Sequence, residues 1–411
     1  MNPPKENLIK NILNATVLIS ALGYFVDIYD LILFGIVRIP SLTYLGIKGE
    51  QLISVGVLLL NSQMAGMLIG GIIFGIWGDK KGRLSVLFGS IFLYSIANLL
   101  NAFVTSVGMY AVLRFVAGVG LAGELGAAVT LVSEVMSKET RGYGTAIVAT
   151  IGVTGAIFAA IIGDMFPWQW AFIIGGILGL ILLVLRIKMF ESGMYQSIQN
   201  SKVSKGNFLM LFTSSDRFFR YLYCILIGLP IWFVVGILIT FSPEFAKVLG
   251  VQGPISAGNS ILFTYTGLIF GDFASGFLSQ YMKSRKKIVT IFILLTAIFI
   301  LVYLFTSGLT VTMFYGLCVL LGISIGYWAV FVTTASEQFG TNLRSTVTTT
   351  VPNFIRGSVL PITFAFTTLR PAFGMIYSAL LVGIVSILIA LFAIYKLEET
   401  YSKDLNYLEE N

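Results

Sequence analysis

The sequence predicts an all-α membrane protein, with twelve transmembrane helices in two pseudo-symmetric six-helix bundles. Three observations predict this fold: the apolar composition, twelve long apolar runs, and motifs of the first half that recur in the second. Of the 411 residues, 57% are hydrophobic and only 11% are charged, whereas an average soluble domain is about 25% charged. So few charges cannot cover the surface of a water-soluble protein of this length.

The apolar runs are long enough to cross a membrane as helices, which takes about 20 residues. They are continuously apolar and lack the alternation that is typical of a membrane β-barrel. We predict spans at 12–38, 50–77, 84–105, 107–136, 142–164, 168–190, 219–246, 255–282, 288–306, 310–338, 345–369 and 371–396. A polar interval separates the sixth span from the seventh, so the predicted domains are 1–190, the linker 191–218, and 219–411 with a short tail.

Two motifs recur about 200 positions apart. The stretch 75–83 is repeated at 276–285, 201 positions later, and a Glu and an Arg seven positions apart occur in both halves. Such symmetry in an apolar chain predicts two duplicated halves that face each other across a membrane pathway. Charged residues at these helix ends are predicted to form salt bridges that break as the halves rock. They are Asp79, Arg83, Glu134, Arg141, Glu337 and Arg344.

The Lys and Arg residues indicate the orientation in the membrane. Of the 26, 20 fall on the side of the N-terminus, four on the opposite side and two inside spans. Positive charge marks the cytoplasmic side, so both termini and the linker are predicted to be cytoplasmic, in a bacterial inner membrane. The net charge of +7 is thus a topology signal. It gives no support to nucleic-acid binding, which typically uses the basic face of a soluble domain.

No set of residues typical of an enzyme is found in the sequence. Histidine is absent, which excludes histidine catalysis and histidine metal ligation and leaves proton chemistry near neutral pH to carboxylates. Cys224 and Cys318 lie in apolar runs and are interpreted as small buried hydrophobes. Gly118-x-Gly120-x-x-Gly123 has the spacing of a dinucleotide-binding loop, but within an apolar helix it indicates close helix packing. We predict a non-enzymatic protein with no metal and no cofactor, in which the proton is the coupling ion.

Charged residues inside predicted spans are costly and typically functional. The set comprises Asp27, Asp30, Glu124, Asp272, Arg114 and Arg356. Acids outnumber bases by two, and uncompensated buried carboxylates favour proton binding. We predict that Asp27 and Glu124 carry protons and that Asp30 tunes Arg114, which lies at a similar depth on the outer side of the membrane. The alternative is a static structural network.

The same spans supply candidates for substrate binding. Arg114 and Arg356 are predicted to hold a carboxylate or phosphate, because a guanidinium grips such groups with two hydrogen bonds. Alternatively, Arg356 pairs with Asp272 as a structural ion pair. Further predicted contacts, through ring stacking or hydrogen bonds, are Trp232, Tyr327, Trp328, Asn61 and Gln63. For any single ring, a packing or lipid contact is the alternative.

Three stretches of the sequence resemble one transporter family. The loop 78–83, Gly-Asp-Lys-Lys-Gly-Arg, resembles the signature loop of the major facilitator superfamily. The stretch 114–141, with its repeated glycines, resembles the metabolite:proton symporter branch of that superfamily. The stretch 24–35 in the first span resembles the same branch and also nutrient transporters of intracellular bacteria. The resemblance implies two bundles around a central cavity and transport by alternating access.

Two departures from the family pattern bear on the predicted direction of transport. Gln280 stands where the first half has Asp79, and the fifth span lacks the proline of the antiporter motif, which weakens an efflux interpretation. We predict a secondary active transporter that imports a small polar organic metabolite (an amino acid, organic acid or nucleoside) by proton symport, as a monomer in the lipid bilayer. The alternatives are a proton-substrate antiporter that exports a siderophore or drug-like compound, and a receptor that binds without transporting.

Overall fold

The protein is described by a computed structural model, which covers residues 15–81, 83–124, 141–191, 208–401 and 409. Those residues form helices and turns, with one isolated bridge between Gln252 and Thr310. In chain order the α-helices are α1 Ala15–Tyr44, α2 Gln51–Lys81, α3 Arg83–Asn101, α4 Val107–Leu121, α5 Arg141–Met165, α6 Trp168–Glu191, α7 Ser215–Leu226, α8 Leu229–Phe233, α9 Ser242–Val248, α10 Ala257–Tyr281, α11 Arg285–Phe305, α12 Val311–Ile325, α13 Trp328–Glu337, α14 Thr341–Gly357 and α15 Val359–Lys396. A 3₁₀-helix, Phe208–Phe212, precedes α7, and a π-helix, Val234–Ile239, follows α8.

The predicted all-α membrane fold is confirmed. Within the described residues, nine helical stretches are long and apolar enough to cross a membrane, and α3 and α4 are shorter apolar helices. One of the nine, Thr346–Lys396, holds both the eleventh and the twelfth predicted span. In the described part of the chain each predicted span therefore coincides largely with helix, and the seventh and tenth spans are interrupted.

Consecutive spans run in opposite directions, so the bundle has two ends. We call the end that carries Ala15 and Lys396 the terminal end, and the end that carries Tyr44 and Gln51 the distal end. In the first half α1 packs against α5, α2 against α4 and α3 against α6, and in the second half α10 packs against α12 and α11 against α15. The halves meet where α5 and α1 pack on α10 and where α2 packs on α14 and α15. The predicted linker lies largely outside the described residues, so its limits stay a prediction.

The seventh span is broken into α7, α8, the π-helix and α9. Pro230 stands in the first turn of α8, where its missing N–H leaves no helix hydrogen bond unmade. Inside a membrane, the carbonyls freed by such a break need buried donors. The Tyr327 hydroxyl donates to the carbonyl of Ile227 at 3.0 Å, and the Thr240 hydroxyl donates to the carbonyl of Val235 at 2.7 Å. Two side-chain hydroxyls therefore supply the donors that these carbonyls need.

The turn between the last two spans lies later than predicted. The sequence analysis ended the eleventh span at 369, whereas α15 continues through Arg370 and Pro371 and is interrupted at Gly374, where φ is 70° and ψ is 179°. Glycine adopts a positive φ at little cost because it has no Cβ. The chain therefore changes direction where a glycine permits it.

Glycines bring two pairs of helices into backbone contact. On α2 and α4, a Cβ added at Gly66 or Gly118 would collide with backbone atoms of the facing helix. On α10 and α12, the same holds for Gly267 and Gly322. Gly120 faces the backbone of Tyr94 on α3 in the same way. The prediction that the glycines of α4 serve close helix packing is confirmed.

Candidate functional site

A buried ion pair joins the two halves of the protein. Nη2 of Arg356 on α14 lies 3.6 Å from Oδ2 of Asp27 on α1, and both side chains are almost completely buried. The sequence analysis considered Asp272 as the partner of Arg356, and the structure corrects this. It assigned Asp27 a proton-carrying role and did not foresee its partner. Because each residue belongs to a different half, the pair depends on how the halves are placed.

The Arg356 guanidinium retains donors that can bind a ligand. Among the described residues, its Nε and Nη1 have no hydrogen-bond partner, and neither do the two carboxylate oxygens of Asp27. Burying such groups unpaired is costly. A guanidinium with free donors in a protected place is suited to grip a carboxylate or a phosphate. The predicted substrate-binding role of Arg356 therefore has a geometric basis and stays a prediction.

Two tyrosines interact with this pair, and a tryptophan interacts with one of them. The Tyr24 hydroxyl on α1 lies close enough to Arg356, Asp27 and Trp328 to interact with each of them. Tyr265 on α10 interacts in turn with Tyr24 and Arg356. The sequence analysis named Trp328 but missed both tyrosines. The signal for Tyr24 was present, since it lies three positions before Asp27 and therefore on the same face of α1.

A second buried ion pair joins Arg186 to Glu124 and packs against α1 at Gly23, one turn before Asp27. Arg186 on α6 donates to Glu124, with Nη1 3.1 Å from Oε2, and a second contact joins Nη2 to Oε1. Gly23 of α1 faces this pair, because a Cβ there would collide with both side chains. Arg186 is one of the 20 Lys and Arg residues that the sequence analysis assigned to the side of the N-terminus, so the partner of Glu124 was missed. With Arg186 included, the acids inside the spans exceed the bases by one and not by two.

Arg114 and Asp30 lie close enough to interact electrostatically, but the hydrogen bond that joins them uses the backbone of Asp30 and not its carboxylate. Nη2 of Arg114 reaches the backbone carbonyl of Asp30 at 3.5 Å, and Nη1 reaches Oδ1 of Asn98 at 3.5 Å. The guanidinium also packs over the rings of Phe34 and Phe172, at 5.7 and 5.5 Å from their centroids. Arg114 thus lies among α1, α3, α4 and α6 inside the first half. Its predicted contact with substrate stays a prediction.

Among the remaining predicted contacts, one joins the two halves and the others lie within one half or have no hydrogen-bond partner among the described residues. Asn61 accepts a hydrogen bond from the hydroxyl of Thr363 in the opposite half at 2.7 Å. Gln63 donates to the carbonyl of Leu31 at 3.3 Å. Trp232 is buried, and its Nε1 has no partner among the described residues. Tyr327, by contrast, uses its hydroxyl to satisfy the broken seventh span, as described above.

The distal end is closed by polar contacts between the halves. Nη2 of Arg38 donates to both carboxylate oxygens of Glu244 at 2.7 and 2.8 Å, and the side chain is fully buried. Nearby, the Ser256 hydroxyl donates to Asp164 at 3.1 Å. The sequence analysis counted Arg38 among the surface charges and so missed this closure.

The predicted gating residues lie mostly outside the described part of the chain. This applies to Glu134 and to the side chains of Asp79, Arg83, Arg141 and Arg344. Glu337 is described, and its Oε2 lies 3.5 Å from Nε of Arg285 and accepts the hydroxyl of Thr400 at 2.7 Å. Glu337 therefore takes part in an ion pair at the terminal end, within the second half.

Comparison with known proteins agrees with this architecture. A family model described as Major Facilitator Superfamily matches residues 20–362. A Bacillus subtilis protein assigned to niacin/nicotinamide transport is 26% identical over 347 residues, covering 82% of this chain and 84% of its own. The sialic acid transporter NanX of Escherichia coli is 28% identical over 357 residues, covering 84% and 82%. The crystal structure of a D-xylose-proton symporter matches with a TM-score of 0.70 at 16% identity, over 94% of this chain and 98% of that one, which shows a shared fold.

Proposed function

We propose that this chain, which belongs to the Major Facilitator Superfamily, imports a small organic carboxylate by proton symport. Membership makes it an integral membrane transporter of small molecules rather than an enzyme. The carboxylate substrate, the proton coupling and the direction are the proposal. The observation that carries it is the buried Asp27–Arg356 pair, which spans the two halves and leaves guanidinium donors free.

The pair supplies a mechanism for coupling. When a substrate carboxylate binds to Arg356, it competes with Asp27 for the same guanidinium. A buried carboxylate that loses its counter-charge costs several kcal/mol (about 3–5), and binding a proton removes that cost. Substrate and proton therefore enter together, and the loaded site carries no additional net charge through the membrane. Glu124, which Arg186 holds against Gly23 of α1, is the second candidate for a proton carrier.

Alternating access follows from where the pair lies. Asp27 and Arg356 belong to opposite halves, so rocking of the halves changes their separation. In the structure the distal end is closed by Arg38 and Glu244, and this contact must open for a substrate to enter from that side. The distal end is the outer side if both termini are cytoplasmic, as the Lys and Arg distribution predicts.

Among the three substrate classes that the sequence allowed, two observations favour a carboxylate that also carries a ring. Arg356 offers free donors, and Tyr24, Tyr265 and Trp328 around it suit a substrate with a ring. Niacin and sialic acid, for which two relatives are named, are both ring-containing carboxylic acids. We further propose that the protein works as a monomer in a bacterial inner membrane, with the proton as its only coupling agent.

Uptake into proteoliposomes tests the proposal. Labelled niacin, sialic acid and benzoate are supplied with an inward proton gradient, which is then collapsed. We expect one carboxylate to accumulate only while the gradient lasts. Asp27→Asn is expected to abolish accumulation and to retain exchange across the membrane, because exchange needs no net proton movement. Asp216→Asn, at an exposed carboxylate, is the matched control and should accumulate substrate normally.

Other results would overturn parts of the proposal. Accumulation that ignores the gradient would exclude proton coupling and leave a facilitator. Accumulation that requires an outward-directed proton gradient would favour the antiporter that the sequence analysis kept as its alternative. Specific binding of a carboxylate without any flux would favour a receptor.

A further inference from the structure

Asp272 holds the end of a broken helix that belongs to another span. Its Oδ1 accepts the backbone N–H of Ala329 at 3.1 Å. Ala329 is the second residue of α13, which begins just after the interruption at Gly326 and Tyr327. The first amides of any helix have no partner within it. The carboxylate of Asp272, which comes from α10, therefore acts as a cap supplied from outside.

The position of this cap follows from the contact between α10 and α12. A Cβ built on Gly326 would lie only 2.6 Å from the backbone nitrogen of Asp272, and one built on Gly271 would lie 2.9 Å from Cα of Gly326. The two backbones therefore touch where the tenth span breaks. Asp272 is the next residue along α10, so its short side chain reaches the amides that the break has freed. An oxygen acceptor near a helix N-terminus also interacts favourably with the helix dipole.

The capped residues lead directly to the central ion pair. Trp328 is the first residue of α13, and its side chain interacts with the hydroxyl of Tyr24. Tyr24 in turn interacts with Arg356 and Asp27. A change in the first turn of α13 therefore moves a ring that interacts with Tyr24 beside the proposed substrate site.

We propose that Asp272 is a positioning residue: by capping α13 it places Trp328 beside Tyr24 and thereby sets the substrate affinity of the Arg356 site. This inference rests on the proposed function as far as substrate affinity is concerned. The cap itself is independent of what is transported. Asp272 acts through the hydrogen bond that its side-chain oxygen accepts, so an asparagine, whose amide oxygen accepts the same bond, replaces it.

Two measurements on three variants test this. Asp272→Ala removes the cap, Asp272→Asn retains an acceptor without the charge, and Ser275→Ala is the control, since that hydroxyl bonds to the backbone carbonyl of Asp272 and not to α13. Hydrogen exchange of the amides 329–331 is measured in detergent, and KM and kcat for labelled niacin are measured in proteoliposomes. For Asp272→Ala we expect about tenfold faster exchange and about tenfold higher KM, as losing a bond of ~1.4 kcal/mol implies. Asp272→Asn and Ser275→Ala are expected to stay near wild type in both.

Each alternative result overturns a defined part. If Asp272→Asn loses accumulation while its amides stay protected, the negative charge is needed and the role is proton coupling, not positioning. If Asp272→Ala exchanges faster but keeps its KM, the cap does not position the site. Trp328→Leu guards against a variant that does not fold, because it should raise KM with normal exchange, and an unchanged KM overturns the link. If wild type transports none of the carboxylates, the proposed function fails, whereas the exchange data still decide the cap.

Discussion

The helix crossing of the first half and its counterpart in the second half share one construction. The crossing glycines are Gly66, Gly70 and Gly118 in the first half, and Gly267, Gly271 and Gly322 in the second. The glycines on α2 and α10 are 201 positions apart, and those on α4 and α12 are 204 apart. At each of these glycines a Cβ would meet the backbone of the facing helix. The repeat in the sequence motifs is therefore also a repeat of helix contacts.

The helix is interrupted after each crossing. The two halves differ in which residue bonds to the backbone group that lies at the interruption. In the first half, the carbonyl of Ala122 just after α4 accepts the side-chain amide of Asn353 from the opposite half at 2.8 Å. In the second half, Asp272 holds the free amide of Ala329 within the same half. The residue 201 positions before Asp272 is Gly71, which offers no side chain and lies against Asn353.

This difference separates permanent contacts from releasable ones. The Asp272 bond stays intact when the halves rock, because both partners move together. The bond between Asn353 and Ala122, like the Asp27–Arg356 pair, joins the halves and changes in the proposed alternating-access cycle. The helix break in the second half is therefore capped from within that half, whereas the break in the first half is bonded by a residue of the opposite half.

The largest effect is expected at the ion pair between the halves. Arg356→Gln leaves Asp27 buried without a counter-charge, which should destabilise the protein by about 3–5 kcal/mol. Adding Asp27→Asn removes that charge and should recover most of the loss. Thermal unfolding in detergent of the two single variants and the double variant measures the coupling. Additive losses in the double variant would show that the two residues do not interact.

The glycine crossings give the next largest effect and compare the halves directly. Gly118→Ala and Gly322→Ala each force a Cβ against the facing backbone and should cost about 1–3 kcal/mol of stability. Gly108→Ala on α4 and Gly316→Ala on α12 are matched controls, because open space surrounds both positions. These controls should be neutral or stabilising, since alanine favours helix. A clear difference between the costs at 118 and 322, measured by thermal unfolding, would break the equivalence of the crossings.

A smaller effect is expected where the halves share a single hydrogen bond. Asn353→Leu removes the donor to Ala122, which is worth about 1 kcal/mol and corresponds to a shift of about fivefold in population. Spin labels at Tyr44 and Val248, exposed residues at the distal end of opposite halves, should show more of the long-distance state. Thr367→Val is the control, since its hydroxyl bonds only within its own helix. An unchanged distance distribution would mean that this bond does not hold the closed state.

The smallest effect is expected at the terminal end of the second half. Partial burial raises the pKa of Glu399, but hydrogen bonds from Ser284 and from the amides of Tyr401, Arg285 and Lys286 outweigh burial and hold it below its usual range. A lowered pKa means that this carboxylate stabilises the fold above its ordinary pKa and that the stabilisation is lost as the pH falls through the lowered value.

The corresponding variant is Glu399→Gln. It should lower stability by about 1 kcal/mol or less at neutral pH, and the difference from wild type should shrink toward pH 3. Unfolding temperatures at both pH values measure this. Glu50→Gln, at an almost fully exposed carboxylate, is the control and should leave the unfolding temperature near that of wild type. A difference that persists unchanged in acid would rule out the ionised carboxylate as the source.

Charge placement shows how far the candidate site was predictable from sequence. Asp27, Glu124 and Arg356 were identified because a charge in the middle of an apolar run is visible without knowing the fold. Arg186 and Arg38 were assigned to the membrane surface, because they lie near the ends of their runs. Tyr265 was missed because nothing local distinguishes it among 18 tyrosines, whereas Tyr24 was overlooked although it lies on the same face of α1 as Asp27.

The spans, the duplicated halves and the presence of buried charge were determined by the sequence itself. Each is a local property: hydropathy summed over one helix length, small residues at helix spacing, or a charge among apolar neighbours. Which charges meet was decided only by the tertiary structure. Asp27 pairs with a residue 329 positions away, and Asp272 bonds to an amide instead of an arginine. A charge within an apolar run can be recognised from its neighbours in the sequence. Its ionic partner cannot, because the distance between two charged groups is set only by helix packing.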